Sequence, residues 1–449
     1  FHNIKGFDIH IARYLGVCGK LPTASLHTLG CRLNQAETAI IAKSLTEHGY
    51  EIVKSNHPAD LTIVNTCTVT EQADAKCRQA IRKALRGNPG AFVAVVGCYS
   101  QMAVNVIKAI EGVDLIMGNE HKLNVVDYLG DLQKKESPLV IHSRRLPREE
   151  FVIDSVGLYE HTTRANLKLQ DGCDDYCSFC IIPQARGRAR SRRFADVLNE
   201  AEKLVAAGHK EIVLTGVNIG TYSSNGQTLL DIVKALEQIS GLARIRVSSI
   251  EPTSVGSDLV RHLAGSDKLC RHLHIPLQSG DETILKKMRR RHTVGEYIKF
   301  IEWAAELVPD IGLGTDLLVG FPGEGDTEFK SGKKVVADLP ISYFHVFTYS
   351  DRPGTLAAKM PDKIDPQTKK ARTRIMIELG QRQQYTFYER HLGRTINVLF
   401  ENEEKGYWVG FADNYMRVQA KSKESLHNQI RPVRLLRIDG DRITGVLCQ

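Results

Sequence analysis

The 449-residue chain contains no run of about 18 apolar residues, so a membrane-spanning helix is excluded and no membrane partner is expected. Residues 1–20, FHNIKGFDIHIARYLGVCGK, are interrupted by Arg13 and make a poor signal peptide; residues 1–24 read as an extension that adds little to function. Tandem repeats and low-complexity tracts are also missing, which argues against solenoid and fibrous architectures. With 42% apolar and 25% charged residues, disorder is not expected either. What the chain does have is ten cysteines, and no secretory leader is expected from its first residues. In a reducing, cytoplasmic setting, recurring cysteine spacings mean metal or redox chemistry rather than disulfides. The net charge of +8 favours an acidic partner such as nucleic acid without proving one.

Hydrophobic patterning divides the chain into three regions. From residue 25 to 137, the runs ASLHTLG, DLTIVNT and AFVAVVG are each followed by a helical stretch (35–48, 71–86 and 101–111). Strands alternating with helices predict a parallel sheet covered on both faces. The charged, proline-containing stretch QKKESPLVIHSRRLPREE (133–150) reads as a linker, assigned to residues 138–163. Residues 164–380 hold six further strand candidates: ANLKLQDG, EIVLTGVN, ARIRVSSIE, RHLHIPLQ, IGLGTDLLVGF and ISYFHVFTYS. Six β/α units predict an open barrel, whose functional residues belong at the C-terminal ends of its strands. From 381 to 449, short alternating segments with turn signals such as Asp439-Gly440 predict a small antiparallel barrel. The expected fold class is therefore α/β with a small C-terminal β-barrel.

The strongest chemical signal is DGCDDYCSFC, which sets Cys173, Cys177 and Cys180 in a CxxxCxxC spacing after the first barrel strand. A tetrahedral zinc site would need a fourth ligand, and none is close in sequence. Three thiolates suit an iron–sulfur cubane with one iron left open.

This motif resembles the signature of the radical S-adenosylmethionine (SAM) superfamily. CSFCIIPQARGRARSRR, SSIEP, HIPLQSGDETILKKMRR, DLLVGFPGE and FTYSDRPGTLAAKM are similar to successive blocks of the methylthiotransferases, in that family's order, from about residue 25 to the end. The resemblance implies a three-cysteine N-terminal domain, a partial (β/α)6 radical SAM barrel and a C-terminal TRAM barrel. It implies that Cys173, Cys177 and Cys180 hold a SAM-binding 4Fe-4S cluster with Phe179 near the adenine. Asn218 in TGVNIG, Ser249 and Glu251 in SSIEP, and Gln278 in PLQSG fall at strand ends where they could hydrogen-bond SAM, although a polar residue there is most often a cap. Gln184 in CIIPQARG stands where a tyrosine is expected.

Cys31, Cys67 and Cys98 are 36 and 31 residues apart, too far for a local metal motif. Each ends a predicted parallel strand, and parallel strands bring their C-terminal ends to one edge. Each is also expected to precede a helix, whose N-terminal dipole would favour thiolate. Three buried small side chains would produce the same pattern, since free cysteine is often buried. The family resemblance assigns these three to a second, auxiliary 4Fe-4S cluster. Cys18, Cys77, Cys270 and Cys448 fit no such pattern and read as structural.

Converting C–H to C–SCH₃ on an unactivated carbon needs a radical, which side-chain acids and bases cannot generate. The resemblance implies two roles for SAM: methyl donor to sulfur held at the auxiliary cluster, and source of a 5′-deoxyadenosyl radical. It also implies an electron donor and a sulfur source as partners, and a monomer.

Two features favour the tRNA anticodon stem-loop as substrate over a ribosomal-protein side chain. Arg186, Arg188, Arg190, Arg192 and Arg193 follow the cluster loop, and KKMRRRH adds Lys286, Lys287, Arg289, Arg290 and Arg291. Such runs are usually a solvated face, but two by one active-site face suit phosphate contacts. The C-terminal barrel holds 3 Lys and 8 Arg against 8 acids, and Trp408, Tyr407, Phe411 and Tyr415 could stack on unpaired bases. GCRLNQAE resembles the branch that acts on N6-threonylcarbamoyladenosine; the isopentenyladenosine branch and aspartate methylthiolation are the alternatives. An RNA-binding module with structural clusters is the alternative of a different class.

Overall fold

The computed structural model describes residues 21–448 apart from 56, 154–155 and 158–161. Cys18 and the extension through residue 20 lie outside the described residues. The chain divides into two compact units, one of residues 21–68, 72–146 and 156–157, the other of 69–71, 147–153 and 162–448.

The first unit is a six-stranded sheet in the order β2-β1-β3-β4-β5-β6, and every pairing is parallel. Its strands are β1 (Thr23–Thr28), β2 (Glu51–Val53), β3 (Leu61–Thr66), β4 (Phe92–Gly97), β5 (Leu115–Met117) and β6 (Leu139–Ile141). All six residues of β3 and of β4 are buried, as expected of parallel strands covered on both faces. One face packs Ile63, Ala94 and Val96 against Ile41 and Leu45 of α1 (Arg32–Glu47); the other packs Val64, Val93 and Val95 against Ile81 of α2 (Glu71–Gly87). The three-residue strands β2, β5 and β6 escaped the sequence reading because they are too short for an alternation to register. Strand β6 falls in the stretch read as linker, so this unit takes up part of that segment.

The second unit contains six parallel barrel strands: β7 (Arg164–Lys168), β8 (Glu211–Thr215), β9 (Arg244–Val247), β10 (His272–His274), β11 (Gly312–Val319) and β12 (Tyr343–Thr348). They form two three-stranded sheets, β9-β8-β7 and β10-β11-β12, joined by isolated bridges Ile245–Leu269 and Ser249–His274. Among the described residues nothing pairs β12 with β7, so the barrel is open. Thr315 on β11 donates to the Ile275 carbonyl at 2.8 Å and accepts from the Tyr297 hydroxyl of helix Val294–Leu307 at 3.0 Å. That sets the alternation: Thr315 and Leu317 face the helices, and Gly314 and Asp316 face the interior.

The last five strands, β13 (Thr395–Glu404), β14 (Tyr407–Ala412), β15 (Arg417–Ala420), β16 (Ile430–Asp439) and β17 (Arg442–Leu447), close into a barrel ordered β13-β14-β15-β17-β16. It is antiparallel as expected except for one parallel pair, β15 with β17. This small barrel docks on the N-terminal ends of the open barrel's strands. Arg244 donates to the Phe411 and Asn397 carbonyls at 3.0 and 2.8 Å, and Arg246 donates to those of Asp413 and Ala412 at 2.8 and 3.1 Å. Buried Glu211 receives Arg246 at 2.6 Å, and these arginines hold its carboxyl low although burial alone would raise it. The end of the barrel opposite the cysteine loop is thus closed by a buried charge network.

Candidate active site

The first strand ends at Lys168, and the chain then passes through Gln170–Asp171 into the loop bearing Cys173, Cys177 and Cys180. Asp171 anchors the loop's root: it accepts from Lys168 at 2.8 Å and Arg186 at 2.9 Å, all three buried. The loop folds back through Cys173 N–H to the Gly187 carbonyl (3.1 Å) and Ser178 N–H to the Met288 carbonyl (2.9 Å). Burial pushes all three thiols up, Cys180 to about 12; Cys180 senses Cys177, and Cys173 senses Cys180, as like groups brought together. Thiols bind a metal cluster as thiolates, so loading one there would release protons.

Polar groups surround the thiols on several sides. Asp175 N–H points at Cys173 Sγ (3.5 Å), and its carboxylate accepts from Asn218 at 3.4 Å. Arg290 donates to Cys177 Sγ at 3.4 Å, to the Pro276 carbonyl at 3.2 Å and to both oxygens of Glu251. Burial raises the Glu251 carboxyl, with Arg290 opposing. Asn218 is fixed by Gln170, which accepts from its N–H at 3.0 Å, and by Ser254, which donates to its side-chain oxygen at 2.8 Å. Phe179 packs edge-on to Phe321 at 6.4 Å. Gln278 pairs its backbone with β11, with φ of +71°, a region costly for a non-glycine residue. Ser249 bridges to His274 through the backbone. Gln184, in the place of the expected tyrosine, donates to the Gly354 carbonyl at 2.8 Å. A donor set of three grouped thiols beside a cation fits an anionic iron–sulfur cluster.

The arginine run needs correction. Arg186 and Arg192 are buried, Arg186 on Asp171 and Arg192 on Asp196 (2.5 Å) and Glu200, and Arg290 is enclosed between Glu251 and Cys177. Their charges are neutralised inside the fold, so none of the three offers a phosphate contact as placed. Arg190 lies over the Phe151 ring at 5.4 Å and near Asp171. Arg188, paired with Asp174, and Arg193 remain exposed, as do Lys286, Lys287, Arg289 and Arg291. The warning signal lay in the same stretch: Asp196 and Glu200 fall four and eight residues after Arg192, on one helical face. In the C-terminal barrel, Phe411 and Tyr415 are taken by the docking junction, under Arg164 (4.5 Å) and Arg246 (5.3 Å). Trp408 is half-buried against the small barrel's core, and Tyr407 lies beneath Lys421.

In the first unit, β1, β3 and β4 are neighbours, so Cys31, Cys67 and Cys98 follow adjacent strand ends on one edge. Gly30 and Gly97, at φ +106° and +101°, turn the chain just before Cys31 and Cys98; a Cβ on Gly30 would sit 2.7 Å from Cys67 Cβ. Cys31 is the N-cap of α1, and its thiol, exposed, caps no backbone group. Cys98 opens the five-residue helix Cys98–Met102, and its Sγ accepts from Asn119 at 3.5 Å. Cys67 differs from the expectation, because α2 begins only at Glu71. Its backbone is instead held by Cys77, whose Sγ contacts the Cys67 N–H at 3.4 Å and carbonyl at 3.2 Å. Cys77 is therefore structural, as expected, with its thiol pushed up by burial to about 11. A buried pair, Lys122 with Glu37 at 2.5 Å, braces Asn119 from behind at 2.7 Å; spacing alone gave no sign of it.

Comparison with known proteins agrees with this arrangement. Residues 23–118 match the family described as uncharacterized protein family UPF0004, and 167–331 match the radical SAM superfamily. The threonylcarbamoyladenosine tRNA methylthiotransferase MtaB of Bacillus subtilis (strain 168) is 37% identical over 93% of this chain and 94% of its own length. The chain belongs to the radical SAM methylthiotransferases. Its relatives in that family include the Aquifex aeolicus MtaB, 35% identical over 91% of this chain and 98% of that one. The Clostridium botulinum (strain Loch Maree) tRNA-2-methylthio-N(6)-dimethylallyladenosine synthase is 31% identical over 85% and 86%. Among solved structures, the radical SAM methyltransferase TsrM of Kitasatospora setae superposes with a TM-score of 0.52 at 16% identity, covering 76% of this chain and 77% of TsrM, a likeness of fold alone. A methylthiotransferase of this family is an enzyme of radical SAM chemistry, with a 4Fe-4S cluster and SAM. No helix among the described residues is long and apolar enough to cross a membrane.

Proposed function

We propose that this methylthiotransferase adds a methylthio group to C2 of N6-threonylcarbamoyladenosine beside the tRNA anticodon. The observation that carries the reading is the near-full-length likeness to relatives named for that nucleoside, spanning both cysteine-bearing regions. Cys173, Cys177 and Cys180 would hold the SAM-binding cluster, and Cys31, Cys67 and Cys98 a second one. When bound, the clusters and SAM supply the radical and the methylated sulfur, steps that protein side chains cannot perform. The residues of the chain orient and insulate them. Arg290 fixes Glu251 beside Cys177 and offsets negative charge there; Asp175, paired with Asn218, donates its N–H toward Cys173. Phe179, Asn218, Ser249, Glu251 and Gln278 are the candidate SAM contacts. Asn119, held by Lys122, donates toward Cys98 and would steady a thiolate there. Arg188, Arg193, Arg289 and Arg291, with Trp408, are the candidate RNA contacts. An electron donor, a sulfur source, a cytoplasmic location and action as a monomer complete the reading.

The test is mass spectrometry of tRNA nucleosides from cells with and without the gene. The 2-methylthio derivative of N6-threonylcarbamoyladenosine should disappear with the gene and return with the wild-type copy. Loss of the 2-methylthio isopentenyladenosine instead, or unchanged nucleosides with an unmodified ribosomal-protein aspartate, would reject the assignment.

A further inference from the structure

Inside the open barrel, three side chains converge that the chemistry above does not use. His274 on β10, Asp316 on β11 and His345 on β12 occupy neighbouring strands and, by the alternation set at Thr315, face the interior. His274 Nε2 lies 3.0 Å and His345 Nδ1 3.1 Å from the same oxygen of Asp316, and one ligand atom from each residue falls within 4.8 Å of the others. An ion bound about 2.1 Å from each ligand spaces its neighbouring donors about 3.0–3.4 Å apart, so the two short spacings already match a coordination sphere.

The surrounding groups are those a metal site requires. The far nitrogen of His274, Nδ1, contacts the Tyr343 hydroxyl at 3.1 Å, and that hydroxyl also meets His272 Nε2 at 2.8 Å. A ligating histidine is normally held in this way by a partner on its other ring nitrogen. The support is built into the backbone: a Cβ on Gly314 would lie 2.3 Å from the Tyr343 ring and 2.7 Å from His274 Nδ1. His274 and Asp316 have side chains only 10% and 21% exposed, whereas His345 is 58% exposed, so the cluster is rigid on one side and open on the other.

We propose that His274, Asp316 and His345 form a binding site for a divalent transition-metal ion, separate from both iron–sulfur clusters. Two imidazoles and one carboxylate on adjacent positions, with further positions open, suit Mn²⁺, Fe²⁺ or Zn²⁺. An ion there would present a Lewis-acidic face to oxygen ligands entering the barrel.

The experiment uses full-length protein carrying its reconstituted clusters, desalted and titrated anaerobically with Mn²⁺. Manganese is chosen because it is taken by imidazole and carboxylate and poorly by thiolate. Electron paramagnetic resonance of free aqueous Mn²⁺ reads the bound fraction. One saturable equivalent per chain is expected in the wild type. It should weaken at least tenfold in Asp316→Asn and in His345→Ala, with the clusters' visible absorbance unchanged. His345 is exposed, so its variant separates loss of the site from loss of the fold. A wild type with no saturable equivalent, or an equivalent that persists unchanged in His345→Ala, overturns the proposal and leaves a hydrogen-bonded cluster only.

Discussion

Cys173, Cys177 and Cys180 lie within eight residues of one loop, whereas Cys31, Cys67 and Cys98 are spread over 68 and meet one sheet edge only because β1, β3 and β4 are adjacent and parallel. The loop thiols are all pushed up by burial, and Cys177 accepts a hydrogen bond from Arg290. The edge thiols run from exposed at Cys31 to buried at Cys67 and Cys98, braced by Asn34, Cys77 and Asn119. A loop can be reshaped around its ligand, but a sheet edge is fixed by the whole domain. The loop set suits a cluster that must leave an iron open to SAM; the edge set suits one presented by a rigid frame.

The largest effect expected is from Cys180→Ala. It should abolish SAM cleavage, by more than about a thousandfold as for removal of an essential catalytic group, while iron at the edge set is retained. Cleavage that survives at wild-type level would break the assignment of the loop. Arg290→Met tests the loop's outer partner. With Glu251 left buried without its cation, formation of 5′-deoxyadenosine should drop about 10–100-fold, as for other outer-shell partners, and an unchanged rate would show that Arg290 serves the fold alone. Asn119→Ala is the matching change at the edge. It should slow methylthiolation several-fold yet leave 5′-deoxyadenosine formation untouched, so equal losses in both would blur the distinction.

Two smaller effects concern stability. Burial, reinforced by Arg290, lowers the His292 imidazole to about 4 from 6.5. The unfolded chain therefore takes up a proton that the folded chain refuses, and stability should be level above pH 6.5 and decline as pH falls to about 4. The whole effect is about 3 kcal/mol, and His292→Gln should flatten it in denaturant titrations. Cys77→Ala, which frees the Cys67 backbone, should cost about 1 kcal/mol by the same measurement. No change in midpoint would mean that Cys67 is held by the strand alone.

The two triads were legible to different degrees. CxxxCxxC announces itself through spacing, because all its ligands belong to one loop. Cys31, Cys67 and Cys98 emerged only after the strands were placed, since their proximity is a property of topology. The two parallel-stranded regions follow from strand–helix alternation and the small barrel from its turn signals; short strands such as β2, β5 and β6 and the parallel β15–β17 pair leave no such mark. Side-chain destinations were read less well. Arg186 and Arg192 look basic in sequence, yet Asp171, Asp196 and Glu200 neutralise them, and that pairing depends on which faces the loop and helix present. Phe411 and Tyr415 are candidates for stacking in sequence, among aromatics some of which must fill the core, but in the fold they lie under Arg164 and Arg246 at the docking junction. The arginines are neutralised by acids close in sequence whose facing depends on the local fold, whereas Phe411 and Tyr415 are covered from strands far away in the chain.

The most direct measurement is the product ratio of Cys67→Ala, reconstituted anaerobically and reduced with SAM and tRNA carrying N6-threonylcarbamoyladenosine. The variant should still cleave SAM to 5′-deoxyadenosine while forming no methylthiolated nucleoside. Methylthiolation at the wild-type level would contradict the division of labour between the two cysteine sets.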